Sequence, residues 1–287
     1  MHPGSMGAAF AAQLRTMGTT VLWCPAGRSE SSRKRAEQAG AEPVPSLAGL
    51  LDRADLLLSL CPPASAEDVA DQVAAHGFRG TYVEANAITP QRVRNVAERL
   101  PHAVVIDGAV VGSPPKGGKT PTLYLAGPQV QVAGLENLFA GTDVRTHPLG
   151  VTIGQASALK LAYSSYQKAS RVLAAVAYGL ADANGVSDEL LQIAAKRTGS
   201  YLTETEYIPK TASRAWRWAP ELEDAAELLT ETGLPGHLMR AAAEVLHTWD
   251  EARDRSLTVG EALALLSTDN GGAGTELAPG TSPGQTL

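Results

Sequence analysis

Four short apolar runs, separated by helix-length stretches, constrain the first half of this chain more than any other feature. The runs are Thr20–Cys24, Asp55–Cys61, Thr81–Ala85 and Ala103–Asp107. Each is continuous rather than alternating, as strands buried on both faces of a parallel sheet must be. Between them lie patterns with helical spacing: Met6–Met17, Glu30–Ala39, Ala66–Ala75 and Thr89–Leu100. Strand alternating with helix predicts an α/β doubly wound parallel sheet. Leu123–Ala126 and Val144–His147 read as later additions to it.

Strand signals stop near Val151. Thr152–Asn184 is a long alanine-rich helical pattern closed by Gly185, and Ser187–Thr198, Lys210–Glu231 and Pro235–Arg255 read as further helices, with Gly233 and Pro235 as punctuation. The reading is therefore a sheet domain over 1–150, an all-α domain over 151–268 and a tail over 269–287. That tail is rich in Gly, Thr, Pro and Ser and is expected to be disordered.

Composition excludes several functions. The formal charge is −6, from 24 basic and 30 acidic residues, which opposes binding to a phosphate backbone. No apolar run approaches the ~18 residues of a membrane span, and the first residues do not read as a signal peptide. Cys24 and Cys61 are too few for a disulfide framework and suit free thiols in a reducing cytoplasm. No histidine or acid cluster has metal-ligand spacing. His247 and Asp250 read as a surface pair, and no G-x-S-x-G elbow is present.

Two stretches carry the chemistry. The first is His2-Pro3-Gly4-Ser5-Met6-Gly7, before a helix. Gly4 and Gly7 fit the second and third glycines of the dinucleotide turn, whose backbone approaches a pyrophosphate at the helix N-terminus. The next strand ends in Pro25-Ala26-Gly27-Arg28-Ser29, with no acid at its tip. Arg28 and Ser29 there suit the 2′-phosphate of NADP, where an acid would suit NAD. The alternative is a solvated basic helix start. The first strand of such a fold should end where this sequence opens. The expectation is an apolar strand encoded upstream of Met1; a damaged fold is the alternative. A third stretch, Gly112–Thr120, imitates a phosphate loop. Its spacing fails by one residue, and Pro121 and a strand follow where a helix is required.

The second informative stretch is Gly154–Ser164. Lys160 stands in a segment whose only other charge between Val151 and Ala169 is Lys168. A partly buried lysine has its pKa lowered into the range for proton transfer. A lysine laying its stem along an apolar face is the alternative. Arg214, Trp216, Arg217 and Trp218 read either as a carboxylate clamp or, preferably, as tryptophan packing with solvated arginines.

Taken in order, these segments resemble the 6-phosphogluconate/β-hydroxyacid dehydrogenase superfamily and its imine-reductase relatives. Ser5-Met6-Gly7 is similar to the end of that family's glycine turn. Glu84–Pro90 resembles the segment lining the nicotinamide, and Asp107–Gly112 the substrate loop. Gly154–Ser164 resembles the catalytic helix. Arg214–Trp218 with Gly233-Leu234-Pro235 looks like the C-terminal domain of uncharacterised relatives. The resemblance spans roughly Met1–Ser267. It implies a Rossmann-type domain holding NADP(H) through Gly4, Ser5, Met6, Gly7, Arg28, Ser29, Cys61, Pro62 and Asn86. It implies Lys160 as general acid/base, aided by Tyr163 and Ser164, with Asp107, Val111, Gly112 and Arg214 on the substrate side. A small hydroxy or keto acid substrate and a homodimer packed on the long helix follow from it. The chain departs from the pattern where Ser164 replaces an asparagine and Ala156 a glycine. Imine reduction, or NADPH binding without turnover, are the rival readings.

Overall fold

Each apolar run forms a strand, and the intervening patterns form helices that cover both faces. The computed structural model describes residues 3–183, 185–196, 204–231 and 236–267. The order is α1 (Ser5–Thr16), β1 (Leu22–Trp23), α2 (Glu30–Gln38), β2 (Glu42–Pro43), α3 (Leu47–Leu51), β3 (Leu56–Ser59), α4 (Ala66–Ala75), β4 (Thr81–Glu84), α5 (Pro90–Arg99) and β5 (Val104–Val111). Then come β6 (Thr122–Ala126), α6 (Gln129–Phe139) and β7 (Arg145–Gly150). Helices follow: α7 (Gln155–Ala183), α8 (Ser187–Ala195), α9 (Tyr207–Ala212), α10 (Ala215–Glu231), α11 (His237–His247) and α12 (Val259–Ala264).

The strands form two sheets. One is the parallel pair β1–β2; the other has the order β3-β4-β5-β6-β7. All pairs are parallel except β5–β6, which is antiparallel. The runs read as parallel strands are parallel, and the antiparallel pair involves β6, one of the later additions. The cause lies in β5, which runs four residues past Asp107 to Val111 and turns back through the 112–121 loop. That loop joins two strands, as the failed phosphate-loop spacing implied. Gly112 makes the turn possible: its φ is +122° and a Cβ there would sit 3.0 Å from Pro121 Cα.

Apolar side chains fill both sides of the larger sheet. Phe10, Leu14, Leu135 and Phe139 pack with Ile106, Leu123 and Leu125 on one side. Phe10 meets Phe139 edge-on, with ring centroids 5.6 Å apart. Tyr82, Val105 and Leu57 pack against Val73 and Val96 on the other. A separate core of small residues, including Ala212, Ala215, Ala219, Leu222 and Leu246, builds the helical half around Trp249. The indole Nε1 of Trp249 donates to the Ala262 carbonyl at 2.7 Å.

Several helices differ from expectation. The stretch read as Lys210–Glu231 is two helices, α9 and α10, turning at Ser213–Arg214, and Ala212 and Ala215 are fully buried on either side of that turn. The stretch read as Pro235–Arg255 ends its α-helix at His247 and adds a 3-10 turn over Asp250–Ala252. Helices α3, α6 and α12 were not expected. The start of α12 carries a readable signal, Thr258 with Glu261, whose groups cap each other reciprocally. The tail at 269–287, and the punctuation at Gly233 and Pro235, lie outside the described residues. No helix of the described residues is long and apolar enough to cross a membrane.

One carboxylate joins the two halves. Asp107 on β5 is fully buried, and its Oδ2 accepts from the backbone N–H groups of Gly154, Ala156 and Ser157 at 2.8, 2.9 and 3.1 Å. Its Oδ1 accepts from Ser157 Oγ at 2.6 Å. It therefore satisfies the orphan donors that open α7. Gly154 reaches this position with φ +109°, where a Cβ would lie 2.9 Å from Pro90 Cβ. A second tie is Arg92 on α5, which pairs with Glu67 of α4 at 2.6 Å and Asp224 of α10 at 3.3 Å. Asp107→Ala leaves four buried donors without an acceptor, and urea unfolding at pH 7 should show a loss of about 3 kcal/mol. A loss under about 1 kcal/mol would show that water replaces the carboxylate.

Candidate active site

Strand ends and helix starts converge where β3, β4 and β5 finish, the side on which open α/β sheets place their ligands. Beside them, α1 begins directly from Gly4. Gly4 is the N-cap, in extended conformation, and no side chain caps the helix. By contrast, Ser29, Ser46 and Thr89 cap α2, α3 and α5. The helix starts earlier than the sequence suggested, so Ser5, Met6 and Gly7 form its first turn. Their amide groups lack side-chain acceptors, and a Cβ built on Gly4 meets nothing within 4 Å. Open space in front of uncapped N–H groups suits an anion.

Arg28 and Ser29 follow β1 through a short loop and stand at the start of α2. Ser29 is exposed, and its Oγ accepts from Ser32 N at 3.3 Å as the cap of α2. Arg28 is half-buried. Arg35 of α2 reaches the glycine turn: its Nε donates to the Pro3 carbonyl at 2.9 Å.

Asn86 organises the next part of the site. It is buried just past β4. Its Oδ1 accepts from Cys61 N at 2.7 Å, its Nδ2 donates to Ser59 Oγ at 3.0 Å, and its backbone N–H donates to Glu84 Oε1 at 2.9 Å. The amide thus locks the ends of β3 and β4 together. Glu84 is fully buried, and burial pushes its carboxyl up to about 7. Burial, with the Glu84 carboxyl beside it, pushes the Cys61 thiol up to about 11, so Cys61 is no thiolate nucleophile near neutrality. Pro62 is exposed and opens the 3-10 turn at Pro63–Ser65. Sequence reasoning missed Ser59 and Glu84. The signal was present in Ser59, a lone hydroxyl inside an apolar strand.

Lys160 lies two turns into α7. Its Nζ donates to the Val110 carbonyl of β5 at 2.9 Å. Burial, and then the Arg217 charge, lower its pKa to about 8. Ser164, one turn on, is buried, and its Oγ has no hydrogen-bond partner among the described residues. Lys168, a further turn along, pairs with Glu221 of α10. These three share a face. Tyr163 does not: it is 40% exposed and its hydroxyl accepts from Gln167 Nε2 at 3.1 Å.

The substrate-side expectations divide. Val111 and Gly112 lie at the end of β5, immediately after the carbonyl that holds Lys160. Asp107 corrects the expectation: it is sealed from solvent with both oxygens taken by α7, so it anchors the lysine helix rather than facing a ligand. Arg214 is exposed at the α9–α10 turn. Arg217 is the arginine whose charge reaches Lys160. Arg92, at the junction of α5 and α10, was not anticipated. Among the described residues no group of acids, histidines and cysteines could hold a metal ion.

The arrangement of sheet, long helix and helical core matches that of solved dehydrogenases. The fold is that of the 3-hydroxyisobutyrate dehydrogenases. A 3-hydroxyisobutyrate dehydrogenase from Salmonella typhimurium is 15% identical, with a TM-score of 0.72 over 92% of this chain and 97% of that one. A reductive aminase from Aspergillus terreus, in complex with NADPH and ethyl levulinate, is 20% identical, with a TM-score of 0.56 over 93% of this chain and 97% of that one. In sequence, an uncharacterised 28.5 kDa protein of Methanothermus fervidus is 26% identical over 179 residues, 62% of this chain and 68% of that protein. Residues 181–249 match a domain of unknown function, DUF1932.

Lys160→Met tests the electrostatics of this site without any substrate. A lysine whose folded pKa is lowered opposes folding while charged in the unfolded chain; the cost is full below about 8 and fades as pH rises towards the ordinary lysine value. The variant should therefore gain thermal stability over the parent at pH 7, and the gain should shrink by pH 10. An equal difference at both pH values would place the ammonium in water.

Proposed function

We propose that this chain is an NADPH-dependent oxidoreductase acting between a small hydroxy acid and its keto form, with Lys160 as general acid/base. The observation that carries the reading is Lys160 itself: an amine held by the Val110 carbonyl, depressed to a pKa of about 8, beside a buried Ser164 hydroxyl with an unused hydrogen bond. NADPH, when bound, supplies the hydride. Gly4, Ser5, Met6 and Gly7 would hold the pyrophosphate on the α1 amide groups, and Arg28 and Ser29 the 2′-phosphate. Asn86, Cys61 and Pro62 would border the nicotinamide. Lys160 would give its proton to the developing alkoxide in reduction and remove it in oxidation. Ser164 would hydrogen-bond the same oxygen, and Val111, Gly112 and Arg214 would border the substrate. An ammonium favours a carbonyl over an imine, because it neutralises an alkoxide.

The exposed apolar residues Leu159, Tyr163 and Tyr166 lie along α7. They suit packing of this helix against a second copy. On this reading Tyr163 belongs to the dimer surface more than to the reacting oxygen.

Lys160→Ala should cut turnover about 10²–10⁴-fold, the range for a lost general acid, while NADPH affinity stays within about threefold, well under the 1.4 kcal/mol of a tenfold change. In the parent, carbonyl reduction should fall as pH rises through about 8, because the donor loses its proton. A panel comparing keto acids with cyclic imines supplies the substrates, and near-normal rates in the variant would exclude the role. Arg28→Ala should weaken NADPH about tenfold or more and leave NADH nearly unchanged, since only NADPH carries the second phosphate. Equal losses would defeat the NADP assignment. Light scattering on the parent and on a Leu159→Asp/Tyr166→Asp variant should give a dimer and a monomer; a monomeric parent would remove the second copy.

A further inference from the structure

A slot lies between β1 and β3. The cavity is about 470 Å³ and is lined by Val21, Leu22 and Trp23 on one side and by Leu56, Leu57 and Leu58 on the other. Helix α1 roofs it with Gly7, Ala8, Phe10, Ala11 and Leu14, and Pro3 stands at its mouth. Leu50 and Ala54 belong to the lining too, so apolar groups face the slot from several directions.

Both bordering strands turn an unpaired edge to this space. On β1, the Val21 and Trp23 carbonyls accept from Glu42 N and Val44 N of the β2 segment. On β3, the Asp55 and Ser59 carbonyls accept from Thr81 N and Ala85 N of the β4 segment. In a parallel strand alternate residues direct their polar groups to opposite sides. The N–H and C=O groups of Leu22, Leu56 and Leu58 therefore face the slot, where no strand of the described residues pairs with them. Two ladders of the same polarity, an apolar lining and a cavity between them describe the site of a missing parallel strand. Its length follows from the roof. Ser5 to Leu14 spans about 14 Å of helix, which is four strand rises, or about five residues of strand. Apart from Thr19, Thr20, Arg53 and Asp55 the lining is apolar, so the occupant is a continuous apolar run.

We propose that this slot accepts one extended apolar segment of about five residues, parallel to β1 and β3 and leading directly into Met1, and that its docking sets the glycine turn for a dinucleotide. The mouth fixes the connection, because Pro3 stands where a parallel strand would hand over to α1. A segment exchanged from elsewhere in a second copy does not fit: the apolar runs of five in the sequence lie wholly or mostly in elements already formed, and residues 268–287 contain none. The second half of the proposal rests on the dinucleotide reading; the first half does not.

The test compares the 287-residue chain with two N-terminal extensions, Thr-Val-Ile-Val-Leu and a control of the same length with proline at its second and fourth positions. The free Thr-Val-Ile-Val-Leu peptide is added in trans to the unextended chain. Amide hydrogen exchange is read at Leu22, Leu56 and Leu58, and NADPH affinity is read by calorimetry. The strand extension should slow exchange at these amides about 100-fold or more, as newly paired groups do, and tighten NADPH about tenfold, with the proline control like the parent. Equal exchange in both extensions, or amides already protected in the parent, would overturn the strand site. Protection by the free peptide but not by the extension would overturn the connection to Met1. Slowed exchange with unchanged NADPH affinity would leave the strand site standing and overturn its link to the dinucleotide.

Discussion

The carboxylate of Asp107 is the point on which the two halves depend. A helix start is a cluster of unsatisfied donors, and a buried acid is a costly anion; together each offsets part of the other's penalty, although burial still holds the Asp107 carboxyl above its ordinary range. Because Asp107 belongs to β5 and its donors to α7, the bond fixes the long helix against the sheet. Lys160 follows two turns later, where its Nζ meets the Val110 carbonyl of the same strand. The strand that anchors the helix is thus also the strand that aims its lysine.

That geometry gives the lysine its chemical character. An ammonium on an exposed helix keeps an ordinary pKa; here burial and the neighbouring Arg217 bring it to about 8. Burial lowers the pKa of Lys168, two turns on, as well, but that lysine pairs with Glu221 and lies 5.5 Å from the Trp218 ring centroid. Two lysines on one face therefore differ in kind: one has an acid partner, and the other is held by a carbonyl, which leaves it a proton to exchange. On the proposed reading this difference separates the catalytic lysine from the structural one.

Much of the sheet half was legible because continuous apolar runs have few other uses. Ala66–Ala75 was placed to the residue, and β3 and β4 within two residues at each end. What escaped has physical reasons. The antiparallel turn into β6 depends on Gly112 and on β5 outlasting Asp107, and nothing in an apolar run marks where it stops. The break between α9 and α10 leaves helical spacing intact while changing direction. Lys160 stood out because an uncommon residue interrupts an apolar pattern, and Asn86 through the resemblance of its segment. Ser59 and Glu84 were missed, although Ser59 is a lone hydroxyl in an apolar strand, because sequence does not show that Asn86 at the end of β4 reaches both. Asp107 looked like a ligand contact because its segment resembles a substrate loop, and sequence does not show the three amide groups that surround it.

A crystal structure with NADPH and a keto-acid analogue tests the central claim most directly. The account predicts the pyrophosphate against the amide groups of Ser5, Met6 and Gly7, with Lys160 Nζ about 3 Å from the analogue's carbonyl oxygen. A dinucleotide bound elsewhere, or Lys160 still on the Val110 carbonyl and turned from the analogue, would contradict it.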